Sequence, residues 1–306
     1  RSLLPWLRWG SVAVLASLLL LDLVFPLPLP SGRDTSVVVA ARNGSPLRAF
    51  ADTQGIWRYP TTPEQVSPLY VQALIAYEDR WFWKHPGVNP VALLRAGGQV
   101  LGNRRIVSGG STLTMQVARI LDPSLRGSRT RTPLGKLRQV LRALQLEAHL
   151  SKRQILTLYL ERAPFGGTIE GVEAASWAYL GKPATRLSHA EAALLAVLPQ
   201  SPSRLRPDRS PDAARKARDK LLARMASGGT WTPAQVEDAR IEQVISRRLR
   251  PPMSAALLAQ RLRTTYPKAD RITSTLDASL QRTLEERVAT YFSDLPPRTS
   301  AALLVV

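Results

Sequence analysis

Trp9 to Phe25 is an apolar run close to the roughly 20 residues that a bilayer core requires. One acidic residue, Asp22, interrupts it near its far end. Arg1 and Arg8 precede the run, and Trp6 and Trp9 sit at its start. Basic residues before a span keep the N-terminus on the cytoplasmic side and put the rest of the chain across the membrane. A cleaved signal peptide is the competing reading. The run is long for a signal core, and Pro26 to Pro30 lacks a small-residue cleavage site. A buried soluble helix would show a polar face, and this run has none.

Beyond the run, Pro26 to Pro30 is a stiff exit. Ser36 to Tyr59 reads as short strands, with Val37-Val38-Val39 and Ala49-Phe50 flanking the turn signal Asn43-Gly44. The pattern then turns helical and stays so to about residue 265. Capping boxes begin at Thr62, Ser151, Ser188 and Thr232, each with Gln or Glu three residues on. Two of them, at Thr62 and Thr232, have proline at the first helical position. Leu137, Val140, Leu141 and Leu144 mark an amphipathic helix, as do Ile155, Leu158 and Tyr159. Ala192 to Leu198 is apolar nearly all round, which predicts a central core helix. Residues 200 to 220, rich in Pro, Arg and Asp, predict a surface loop leading into a basic helix. Arg271 to Leu276 and Ala301 to Val306 predict strands. The second of these is an apolar run at the chain's end, so the expectation is a segment cut from a larger protein. No long-period repeat is evident.

Composition narrows the function. With 44% apolar residues in 306, the chain is not disordered. Aromatic residues at 6% argue against a β-rich architecture. There is no cysteine, hence no disulfide framework, thiolate metal site or cysteine nucleophile. His85, His149 and His189 are the only histidines, which disfavours a multi-histidine metal centre. The net charge of +19 calls for an anionic partner. Nucleic acid, anionic lipid headgroups and a diphosphate all qualify, and a domain held outside the membrane argues against nucleic acid.

Chemistry concentrates in a few stretches. Ser67-Pro68 can open a helix on which Val71, Leu74, Ile75, Glu78 and Phe82 share one apolar stripe. Desolvation and a nearby helix C-terminus would both raise the pKa of Glu78. That tuning suits general acid–base work on a sugar hydroxyl. A buried glutamate paired with an arginine is the plainer alternative. Gly109 and Gly110 precede Ser111, Thr112, Leu113, Thr114, Met115 and Gln116. Paired glycines before hydroxyl residues let backbone amides approach an anion, although a loop before a capped helix has the same look. Arg119, Arg131 and Lys136 follow, as an anion site or as a solvated face. Val88 to Val107 mixes apolar residues, glycines and arginines, as a segment lying on a lipid surface would; an ordinary loop covering the core is the alternative.

These stretches resemble glycosyltransferase family 51, the polymerising domain of class A penicillin-binding proteins. Glu78 to Gly87 is similar to its first motif and Gly109 to Gln116 to its second. Ile155 to Tyr159, Phe165 to Gly167 and Gly171 to Ala175 resemble its fourth, and Glu191 to Gln200 its fifth. Together they cover about residues 60 to 230. The resemblance implies a mainly α, lysozyme-like fold with an N-terminal transmembrane helix and a small β element. It implies polymerisation of lipid II into β-1,4 glycan with inversion and release of undecaprenyl diphosphate. Glu78 would be the general base. By motif, Asp79, Phe82, His85, Gly109, Gly110, Ser111, Thr112, Gln116, Arg119, Arg131 and Lys136 would bind substrate.

Two departures stand out. The third motif, Arg-Lys-x-x-Glu, reads Gly135, Lys136, Leu137, Arg138, Gln139 here. Gln139 would join the catalytic set by hydrogen bonding but cannot act as a base or bind metal well. The resemblance fixes no cofactor, and a divalent Mg or Mn ion stays open. Glu161 replaces a frequent Asn, which reads as a surface change. The expected division is 1–30 for the cytoplasmic stub, span and exit, and 31–60 for a short β linker. Residues 61–250 would be the glycosyltransferase domain, and 251–306 a linker and the start of a truncated transpeptidase domain. No Ser-x-x-Lys with a downstream Lys-Thr-Gly is present, so no transpeptidase activity is expected. The expected location is the inner membrane, single-pass, with the catalytic domain periplasmic. Lipid II, the growing glycan, membrane lipids and cell-wall synthesis proteins are the expected partners. A lysozyme-like hydrolase or lytic transglycosylase, and a noncatalytic precursor-binding scaffold, are the alternatives.

Overall fold

The computed structural model describes residues 34–91, 110–125, 132–244 and 252–293, together with 9, 16–17, 20, 22–30, 127 and 246. Among the described residues no helix is long and apolar enough to cross a membrane. Most of the 9–25 run lies outside them, as do Gly109, Arg131, most of the Val88 to Val107 segment and the strand expected at Ala301 to Val306.

The chain opens with β1 (Val37–Ala40) and β2 (Pro46–Phe50), an antiparallel hairpin turning at the predicted Asn43-Gly44. Gly44 has φ +81°, a value that costs glycine little and other residues more. β3 (Trp57–Arg58) leads to a helical body: α1 (Pro68–Glu78), α2 (Leu113–Leu121), α3 (Pro133–His149) and α4 (Lys152–Arg162). The short strands β4 (Pro164–Gly166) and β5 (Ile169–Glu170) follow, and β5 pairs parallel with β3 and antiparallel with β4. Next come α5 (Val172–Leu180), α6 (His189–Val197), α7 (Pro211–Ser227) and α8 (Pro233–Ile241). α9 (Ala256–Thr265), β6 (Arg271–Thr273) and α10 (Ala278–Tyr291) complete the described chain. β6 returns to the first sheet and runs parallel to β1, with Val38 opposite Arg271 and Ala40 opposite Thr273. The two segments expected to flank the helical domain separately therefore share one sheet.

α6 is the core helix that its pattern predicts. Ala190 and Ala192 to Val197 are all buried, because α1, α7, α8 and α5 pack around it. Its start is a reciprocal cap, Ser188 Oγ accepting from Glu191 N–H and Glu191 Oε2 from Ser188 N–H. α4 and α8 open the same way. At Thr62 the side chain of Gln65 returns to the backbone N–H at 3.1 Å, but only a 3-10 turn, Pro63–Gln65, results. The helix proper begins after Ser67.

Four expectations need correction. α1 ends at Glu78, so the buried Phe82 belongs to the turn that follows and not to the helical stripe. On α3 the buried face is Gly135, Gln139, Ala143 and Leu146, while Leu137 and Leu141 are exposed beside Leu134. Only Val140 and Leu144 of the predicted stripe pack inward, against Val88 and Met115. Glu161 is half-buried, accepts from the Thr61 N–H at 3.2 Å and has its pKa raised by burial. In the 200–220 segment Leu205, Arg206 and Pro207 are buried, Arg206 being locked bidentately to Asp208 against Gly166.

Because Leu195 is fully enclosed on α6, Leu195→Ala should cost about 2–5 kcal/mol of stability, read as a lower midpoint in denaturant unfolding.

Candidate active site

Glu78 is the last residue of α1, where unpaired carbonyls concentrate negative potential. One carboxylate oxygen, Oε2, accepts from Gln116 Nε2 of α2 at 2.7 Å. The other, Oε1, is buried and has no hydrogen-bond partner among the described residues. Burial raises the pKa of Glu78; the Gln116 bond and the Arg119 and Arg224 charges pull against it, and the adjacent Asp79 pushes the same way as burial. The outcome is a carboxyl held nearer neutrality than an exposed glutamate, with one oxygen hydrogen-bonded and one unpartnered among the described residues.

The turn after Glu78 is built on Asp79. Its buried carboxylate faces His85 Nε2 at 3.0 Å from both oxygens and accepts from the Leu113 N–H at 2.9 Å. A carboxylate at the first turn of α2 satisfies an orphan donor and suits the positive helix end. Thr112 completes that end: its Oγ accepts from the Met115 N–H and donates to the Gly87 carbonyl. Gly87 has φ +83°, and a Cβ there would lie 2.8 Å from the Ala143 carbonyl oxygen of α3. The turn is thus clamped between α2 and α3. Phe82 is buried within it, under the ammonium of Lys152 at 4.7 Å, while Trp81 and Trp83 project into solvent.

Lys136, on the first turns of α3, donates to Ser111 Oγ at 2.6 Å and to Gln139 Oε1 at 3.0 Å. Burial, and then the Arg119 charge, bring its pKa down to about 8. Gln139 is buried and spends both ends of its amide, Nε2 donating to the Met115 carbonyl at 2.7 Å. A carboxylate could not make that second bond. The residues at Gln139 do not fit a divalent cation either: its oxygen is already bound to an ammonium, and its nitrogen is a donor. Among the described residues no group of three or more His, Cys, Asp or Glu side chains could hold a metal.

Of the sequence-predicted residues, the structure joins Glu78 to Gln116, Asp79 to His85 and the Leu113 amide, and Lys136 to Ser111 and Gln139. Gly110 leads into the Thr112 cap. Arg119 acts on both Glu78 and Lys136 through its charge. Arg224 of α7 escaped the sequence reading. Its guanidinium donates to the Tyr77 carbonyl at 3.1 Å and its charge reaches Glu78. Tyr77 in turn donates to Gln200 Oε1 at 2.5 Å. Nothing local in the sequence marks Arg224, one of several basic residues on its helix. A cavity of about 550 Å³ lies elsewhere, lined by Trp57, Tyr59, Trp177, Arg186 and Arg282.

A buried acid with one unpartnered oxygen, within reach of the charges of Arg119 and Arg224, is suited to acid–base chemistry. The chain belongs to the Transglycosylase family, whose pattern matches residues 43–226; this is the glycosyltransferase family 51 domain of class A penicillin-binding proteins. Penicillin-binding protein 1C of Escherichia coli strain K12 is 55% identical over 303 residues, covering 97% of this chain and 38% of that protein. Penicillin-binding protein 1A of Aquifex aeolicus is 39% identical over 182 residues, covering 60% of this chain and 24% of that protein. The crystal structure of penicillin-binding protein 1A from Haemophilus influenzae aligns with a TM-score of 0.41 at 16% identity, over 89% of this chain and 32% of that one. The chain therefore spans well under half the length of these relatives.

Two outcomes follow from the geometry. A carboxyl whose folded pKa lies above its ordinary value of 4.5 binds more protons folded than unfolded, so stability falls as pH rises through that window. Glu78→Gln should therefore be more stable than the parent at neutral pH, with the advantage vanishing below pH 4.5, in melting curves taken across pH. Gln139→Glu should lose about 1–3 kcal/mol by setting a carboxylate against the Met115 carbonyl, seen as a lower unfolding midpoint.

Proposed function

We propose that this chain polymerises lipid II into β-1,4-linked glycan, with Glu78 as the general base. The buried Oε1 of Glu78, without a hydrogen-bond partner among the described residues, carries the reading. It takes the proton from the acceptor's 4-hydroxyl as that oxygen bonds to the donor's anomeric carbon. The bond from that carbon to the diphosphate breaks on the opposite face, so configuration inverts. Undecaprenyl diphosphate leaves with the electron pair, and Arg119 and Lys136 balance its charge. Arginine can bridge two phosphate oxygens, so its use at Arg119 keeps the anion-binding role. Asp79 and His85 hold the turn, Gly110, Ser111 and Thr112 present the start of α2, and Gln139 positions Lys136. No step is routed through a metal ion. On this reading residues 61–250 are the catalytic domain, the 9–25 run anchors it, and the domain works on the periplasmic face of the inner membrane.

A lytic or hydrolytic enzyme would also use an acid with a raised pKa. The cations beside Glu78 have no evident task in cutting a neutral glycan, so the polymerase reading is preferred. With labelled lipid II, the parent chain should give a polymer ladder on gels. Glu78→Gln should reduce it by about a thousandfold, the range open to a lost general base, while substrate binding persists. Polymer from Glu78→Gln, or cleavage of finished glycan by the parent without polymer, would sink the proposal.

A further inference from the structure

The acidic residue inside the N-terminal apolar run has specific partners. Asp22 lies in a short helical stretch, with Leu23, Val24 and Phe25 exposed beside it. Its Oδ1 accepts from Gln145 Nε2 at 2.5 Å, and its Oδ2 faces His149 Nε2 at 2.6 Å. The Phe25 carbonyl accepts from Gln145 Nε2 at 2.9 Å and from Arg142 Nη1 at 2.6 Å. Arg142 is itself fixed by Asp122 at 2.8 Å and by Gln145 at 2.7 Å. Leu27 then packs on the main core.

Arg142, Gln145 and His149 lie at i, i+3 and i+7, one face of the later turns of α3. The earlier turns of the same helix carry Lys136 and Gln139, tied to Ser111 and Met115. A single rigid element therefore touches the apolar run at one end and the candidate site at the other. A carboxylate in an apolar run is expensive unless it meets polar partners. Here the carboxylate turns toward α3 and its apolar neighbours turn outward.

We propose that Asp22 docks the apolar N-terminal segment on α3 and so fixes the orientation of the Glu78 site relative to the bilayer. The inference rests on the 9–25 run being the membrane anchor. Asp22→Leu makes the run more apolar, so it removes the dock without weakening insertion. Asp22→Asn keeps the dock, since an amide can accept from Gln145 and donate to His149.

The test uses the full chain in phospholipid vesicles. Asp22→Leu should float with vesicles as the parent does and process detergent-dispersed lipid II at the parental rate. On vesicle-embedded lipid II it should lose up to about a hundredfold, the scale that a small misplacement of bound substrate can cost; Asp22→Asn should not. Orientation has its own readout, because the chain contains no cysteine. A short bifunctional thiol reagent should bridge an Asp22→Cys/His149→Cys pair, whose side chains end in contact in the parent, and a dye on Ser227→Cys should change its energy transfer to a membrane dye when Asp22→Leu is added. A pair that the reagent does not bridge, or a dye that does not respond, overturns the docking even if no polymer is made in any sample. A parent chain that fails to float overturns the anchor and the docking with it. Flotation, cross-linking and dye response without polymer overturn the polymerase reading alone.

Discussion

The site depends on one buried carboxylate, Asp79, meeting the first amide of α2. Asp79 follows Glu78 directly, and the amide it captures is three residues before Gln116. That single contact sets the distance between the end of α1 and the start of α2, and so allows Gln116 to reach Glu78. His85 closes the turn from the other side, and Gly87 lets it press on α3 without a Cβ in the way. The remaining cations, on α2, α3 and α7, are placed by helices that this tie helps to align.

Glu78 illustrates a conflict between stability and chemistry. Burying a carboxylate at a helix C-terminus opposes folding twice, through lost hydration and through the helix dipole. Only one strong hydrogen bond and two nearby guanidinium charges offset it. The rest of the domain tolerates that burden because α6 supplies a core enclosed on every side. Gln139 shows the opposite solution. An amide satisfied at both ends costs little in the interior, and it holds an ammonium in place without burying a further carboxylate.

Much of the scaffold was legible in the sequence because it rests on local rules. The capping boxes at Ser151, Ser188 and Thr232, the hairpin at Asn43-Gly44 and the all-apolar α6 each follow from spacing within a few residues. Glu78 was legible as an acid on an apolar stripe. The misses have a common cause, which is that tertiary contacts outvoted local pattern. Phe82 is buried by a turn, not by helical phase. α3 turns its glutamine inward and two of its leucines outward because Lys136 and the Met115 carbonyl need that amide. Glu161 is held by Thr61, a hundred positions away, and Arg206, paired locally with Asp208, is covered by Gly166 from β4. Arg224 matters through a carbonyl 147 positions away, a relation that no window on the sequence can show.

The parallel pairing of β1 with β6 has a mechanical consequence. The helical body is inserted between two neighbouring strands of one small sheet, so the chain enters along β1 and leaves along β6. Tension applied between the segment before β1 and the segment after β6 pulls these strands in opposite directions along their length. The ladder then bears the load in shear, with its hydrogen bonds acting together, as do the Ser274 and Arg42 backbone bonds that extend it. Force entering the chain at β1, past the Asp22 contacts with α3, would pass to β6 directly, leaving the helices around Glu78 outside that path.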